Sequence, residues 1–172
     1  MSASESITDI ASARREAARI KQQLDALYED YTAALLDVPI NFQGELHKYM
    51  CVRLAGYLEQ LIFVAVAGYL RSTAGPQAAS FALSNWKHAP NLGPNAFETL
   101  FDRFGAPWND DLTQFLEEAD RRGALGRLIK IRNDTAHGSS YSGSLPSVTS
   151  YKLLVDEIHG WVHRVVMQQA GQ

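Results

Sequence analysis

Three residues late in the chain have the types and spacing to act on a phosphodiester: Arg132, Asn133 and His137. On a helix, Asn133 and His137 are four apart and share a face. Arg132 then lies about 140° round from His137 and roughly 7.5 Å below it along an ideal axis. Its long side chain can curl back toward that face. A guanidinium offers a fixed fork of donors to a phosphate or a developing oxyanion. An imidazole, whose unperturbed pKa is near neutrality, can move a proton, and an amide can position either partner. The bland alternative is a solvated helix face that carries an Arg and a His by chance, and spacing alone does not separate the two.

Other residues bear on this chemistry. The twelve residues Arg121 to Arg132 hold five cations (Arg121, Arg122, Arg127, Lys130 and Arg132) and no acid. Such side chains could contact RNA phosphates, giving affinity without sequence information, or simply solvate a helix. Glu59 stands among Leu58, Leu61 and Ile62. A buried carboxylate is costly unless paired, so Glu59 either orients Arg132 or His137 from a facing helix or occupies a wet edge. His159 and His163 are four apart with Asp156 before them, a spacing that can present two imidazoles to one metal. Gly160 stands where a zinc-protease helix needs glutamate, so surface or interface histidines and no metal are expected. Serines follow His137, but no Gly-x-Ser-x-Gly elbow and no phosphate-cradling glycine loop is present, so no cofactor is expected.

The totals bound the rest. At 172 residues, 46% hydrophobic and 20% charged, the chain has the size and composition of one soluble domain with a real core. A net charge of −3 gives no global pull on nucleic acid, so any polyanion must meet a local patch. The lone Cys51 excludes an intrachain disulfide and reads as a buried, inert thiol. The polar start Met1-Ser-Ala-Ser-Glu-Ser does not resemble a signal peptide, and the apolar run Leu61 to Leu70 is short for a bilayer. The expectation is a cytoplasmic protein with no membrane contact.

The elements that would position Arg132 and His137 read as helices throughout. Residues 7 to 36 form one, with Ile20, Leu24, Leu27, Tyr31 and Leu35 at helical spacing and a basic flank of Arg14, Arg15, Arg19 and Lys21. Pro39 ends it. Phe42 to Arg71 forms a second, apolar all round in its later half and so placed mid-bundle, with Gly56 and Gly68 allowing close approach of another backbone. Pro76 suits the first turn of a short helix through Phe81, Leu83 and Trp86. Asn95 is the expected cap of a helix ended by Gly105, and Asn109 or Asp110 of the next, which Gly123 breaks. The motif helix then spans about 124–137 and stops at Gly138. Gly138 to Ser147 reads as a loop that could contact substrate, and a last helix, about Ser150 to Gln168, buries Leu154, Ile158, Trp161, Val162, Val165 and Val166. The economical fold is all-α, one bundle of five to seven helices over 1–172, with 1–40 as an N-terminal helix and 41–172 as bundle core.

The stretch Arg132-Asn133-Asp134-Thr135-Ala136-His137-Gly138 resembles the Arg-x4-His motif of HEPN domains, in the form Arg-Asn-x-x-x-His. From about Asn41 onward the chain is similar to the RiboL-PSP-HEPN branch. That resemblance implies a helical bundle that pairs through its motif face, so that two motif sets line one cleft of a homodimer. It implies metal-independent cleavage of single-stranded or loop RNA by 2′-hydroxyl attack, leaving a 2′,3′-cyclic phosphate and a 5′-hydroxyl. His137 would shuttle the proton, Arg132 would stabilise the phosphorane and Asn133 would position the phosphate or His137, with Glu59 and Tyr141 as support. The setting implied is a toxin–antitoxin or antiviral system with a protein partner as inhibitor. Some relatives place a modifiable tyrosine two residues after the histidine; here that position is Ser139 and the nearest tyrosine is Tyr141. The rival is a non-catalytic HEPN-like module binding nucleotide, RNA or protein.

Overall fold

A computed structural model describes residues 7–84, 92–138 and 143–168. Seven α-helices make up the described chain: α1 (Ile10–Ala34), α2 (Ile40–Thr73), α3 (Pro76–Ser84), α4 (Pro94–Asp102), α5 (Ala106–Glu117), α6 (Arg121–Ala136) and α7 (Leu145–Val162). No strand occurs among the described residues. The fold is an all-α bundle.

The first helix starts at a capping box rather than at Ile7. Asp9 accepts from the Ser12 amide at 2.7 Å, and Ser12 Oγ accepts from the Asp9 amide at 3.0 Å. Pro39 caps α2, whose 34 residues form the central rod. It packs against α1, α6 and α7 as well as α3. By length and composition α2 could cross a membrane, although its most apolar stretch is mostly buried against the other helices. The apolar run noted in the sequence is therefore only part of a much longer helix.

Side-chain bonds fix the directions. Tyr31 on α1 meets His47 on α2 at 2.6 Å, and the amide of Ile10 meets Ser72 at 2.8 Å, so these helices are antiparallel. Along α7, Thr149 meets Tyr28 at 2.9 Å and Asp156 meets Lys21 at 3.1 Å, so α7 also runs antiparallel to α1. Arg14 reaches the carbonyl of Met167 beyond the end of α7. Arg14 and Lys21, expected on a solvated basic flank, thus tie α1 to the C-terminal helix.

Several boundaries differ from expectation for local reasons. Pro94 opens α4 with Gly93 as its cap, which leaves Asn95 inside the first turn. Gly105, at φ 93°, precedes α5, so Asn109 and Asp110 are interior. Gly123 lies within α6; the break falls at Ala119 and Asp120, both non-glycine residues with left-handed backbone. Leu145 and Pro146 open α7 five residues before Ser150, and its end widens into a π turn over His163–Met167. Pro76 does begin α3, and Trp86 lies outside the described residues. The two glycines of α2 also part company. A Cβ on Gly68 would overlap that of Ala13, whereas one on Gly56 would meet nothing within 4 Å.

Candidate active site

Helix α6 is anchored by Leu125, Leu128 and Ile129, which are buried against the core. Arg127 bonds back to Asp120 at 2.9 Å across the first two turns. At the other end Gly138, at φ 77°, donates to the Thr135 carbonyl at 3.1 Å, so the helix stops immediately after His137. Thr135 Oγ1 donates to the Ile131 carbonyl at 2.7 Å. The helix thus holds Arg132 a little over one turn before its end and delivers His137 at its tip.

Glu59 comes from α2 to meet Arg132. Nη2 of Arg132 donates to Oε2 at 3.2 Å, and Oε1 lies 3.1 Å from the same nitrogen. Among the described residues Oε1 is buried and has only this ion-pair contact, with no hydrogen-bond donor. The Glu59 side chain is 13% exposed and that of Arg132 35%. Burial raises the Glu59 carboxyl above its usual range, and the Arg132 charge offsets this only in part. Nη1 of Arg132 donates to Oδ1 of Asn133 at 3.2 Å. Glu59, Arg132 and Asn133 are therefore one connected group, and the wet-edge alternative for Glu59 does not hold. His137 stands apart from that group: its ring is exposed, and no side chain among the described residues hydrogen-bonds it. Tyr141 lies outside the described residues.

The cations near the motif meet carboxylates, some from neighbouring turns and some from other helices. Arg121 bonds Glu157 at 2.8 Å and Glu118 at 3.0 Å, and its guanidinium lies 4.4 Å over the Phe115 ring. Arg122 pairs with Glu98 and Lys130 with Asp134. Each cation of the acid-free window has an acidic partner, so the local charge is lower than the window alone indicates. Arg127 and Lys130 keep exposed faces, whereas Arg121 is largely covered.

The histidines of α7 have a different environment. His159 Nδ1 meets the Tyr57 hydroxyl at 2.6 Å, half-buried rather than on the surface. Beside it, Lys21 and Lys152 alternate with Asp25 and Asp156 at 2.7 to 3.1 Å. Sequence reasoning passed over this network, although the Lys-x3-Asp spacing of both helices announces half of it. Among the described residues no group of three or more His, Cys, Asp or Glu is arranged to hold a metal.

The family model for RiboL-PSP-HEPN matches residues 8–166. The chain belongs to the RiboL-PSP-HEPN family. Comparisons with curated proteins and with solved structures returned no match. The matched region of this HEPN chain starts well before Asn41, so α1 lies inside the family region. Packing explains why: α1 shares its Tyr31, Lys21 and Asp25 contacts with α2 and α7.

Proposed function

We propose that this HEPN protein is an endoribonuclease that cuts single-stranded or loop RNA through attack of a ribose 2′-hydroxyl on the adjacent phosphorus, and that it needs no metal for the step. The products are a 2′,3′-cyclic phosphate and a 5′-hydroxyl. The observation that carries the reading is the half-buried Arg132, held by Glu59 and Asn133 on the helix that ends at His137. A guanidinium restrained on two sides is already oriented for charge that develops on a phosphorane. An exposed imidazole can take the 2′-hydroxyl proton or return one to the leaving 5′-oxygen. Because one chain carries one such set, a homodimer joined through the α6 face would place two sets about one linkage. The cytoplasm, with a protein inhibitor in a toxin–antitoxin or antiviral system, is the setting proposed for it.

One observation favours a second reading, a non-catalytic module that binds nucleotide, RNA or protein. Glu59 neutralises Arg132, and His137 has no orienting side chain among the described residues. The two readings part on one experiment. Purified protein is incubated with RNA in excess EDTA, and the ends are analysed for cyclic phosphate. Wild type should cut, and Arg132→Ala and His137→Ala should each lower the rate at least about a hundredfold. No cutting by wild type supports the binding module, and undiminished cutting by both variants removes these residues from the site. A strictly monomeric solution mass would eliminate the composite cleft.

A further inference from the structure

The tip of the α1–α2 hairpin presents large apolar side chains to water: Leu36 and Ile40 are each 87% exposed and Phe42 is 60% exposed. The turn that carries them is well tied. Gln43 donates from Nε2 to the carbonyls of Leu35 at 3.0 Å and Val38 at 3.1 Å. The amides of Leu36 and Phe42 donate to Ala33 and Pro39 at 3.1 and 2.8 Å, and Pro39 fixes its own φ. A bonded turn is holding these side chains outward, and exposed apolar groups clustered in this way mark interaction surfaces. Around them stand the exposed acids Glu29, Asp30, Asp37 and Glu45. Lys48, the next cation along α2, is committed to Glu45 at 2.9 Å.

We propose that this tip is a docking surface for a protein segment that combines an apolar face with Lys or Arg flanks. Charge complementarity selects that occupant. The acidic rim repels RNA and anionic lipid headgroups, and a second copy would set acid against acid. The Tyr31–His47 and Tyr28–Thr149 contacts place the tip at the end of the bundle where α7 begins. The proposal does not depend on RNA cleavage, and its readout is binding alone.

The test uses a fluorescein-labelled amphipathic helical peptide of Leu and Lys, its Leu and Glu counterpart, and vesicles of phosphatidylglycerol. Binding is followed by anisotropy at physiological salt, with thermal melts confirming that each variant is folded. Wild type should bind the Leu/Lys peptide. Leu36→Ser combined with Ile40→Ser should weaken it by at least about tenfold, and Asp37→Asn combined with Glu45→Gln by about threefold. The Leu/Glu peptide should not bind. Equal affinity of wild type and the serine variant for the Leu/Lys peptide would overturn the proposal. So would equal binding of both peptides, or sedimentation with vesicles or self-association of wild type that the serine variant loses.

Discussion

Glu59 is the residue on which the site's geometry turns. Its carboxyl is raised by burial against the pull of Arg132, so an ionised Glu59 is stable there only because the guanidinium is beside it. Truncation to Glu59→Ala leaves Arg132 without its restraint. If Arg132 acts on the phosphorane, kcat should fall on the order of 10- to 100-fold with KM changed far less, because a misplaced donor costs transition-state stabilisation rather than binding. Glu59→Gln keeps an acceptor for Nη2 and should recover part of that loss, which a merely destabilised fold would not do. Steady-state kinetics of the three proteins checks both points. The same change should cost about 1 kcal/mol of stability, a modest figure because Arg132 is partly wet. The sequence offered this pairing as one of two readings, since a lone carboxylate among Leu58, Leu61 and Ile62 needs a partner unless it stands at a wet edge. The pairing of Arg122 with Glu98 and of Arg121 with Glu157 was not, because those partners lie 24 and 36 residues away and no local spacing encodes them.

At the scale of the element, hydrophobic period located the helices and punctuation misplaced their ends. Gly123, Asn95 and Asp110 are legitimate cap residues, and each lies inside a helix because the neighbouring Pro94, Gly105 or left-handed pair sets the start of that helix before it. The joint between α5 and α6 is the least expected feature: Ala119 (φ 52°) and Asp120 (φ 56°) take the left-handed region without being glycine. That conformation costs an L-residue roughly 1–2 kcal/mol, and Ala119 has no polar side chain to offset it. Ala119→Gly should therefore stabilise the protein by about 1 kcal/mol, whereas Ala→Gly in a helix interior destabilises. The two glycines of α2 give a matched test. Gly56→Ala enters open space on a helix surface and should stabilise by up to about 1 kcal/mol. Gly68→Ala forces α1 and α2 apart at Ala13 and the Asp9 carbonyl and should cost about 1–3 kcal/mol. Urea denaturation of the three variants measures each sign. Opposite signs for the two glycines would tie the α1–α2 approach to Gly68 alone.

For the whole molecule, the three long helices are joined by two tyrosine–histidine bonds, Tyr31 to His47 and Tyr57 to His159. Both imidazoles have pKa values lowered from the usual 6.5. Burial is the cause for His47. For His159, burial leads and the charges of Lys21 and His163 add to it, outweighing the facing Asp156 and Asp25. A lowered folded pKa means that the unfolded chain takes up these protons first. The stability these groups contribute is complete above the unfolded value near 6.5 and is lost as pH falls through the folded values. Each histidine can add at most about 1.4 kcal/mol per pH unit to that slope. The carboxyls of Asp9, Glu16 and Asp25 are lowered from already acidic values and titrate below this window, whereas Glu59, raised by burial, binds its proton more readily in the folded chain and works against the decline. The urea midpoint should therefore decline from pH 7 toward pH 5, with a shallower decline in His47→Gln and in His159→Gln. The double variant should lose the decline, and the raised Glu59 carboxyl should leave it flat or slightly rising toward acid. An unchanged slope in both single variants would mean that the helices tolerate charged imidazoles at these bonds, and that acid sensitivity arises elsewhere in the bundle.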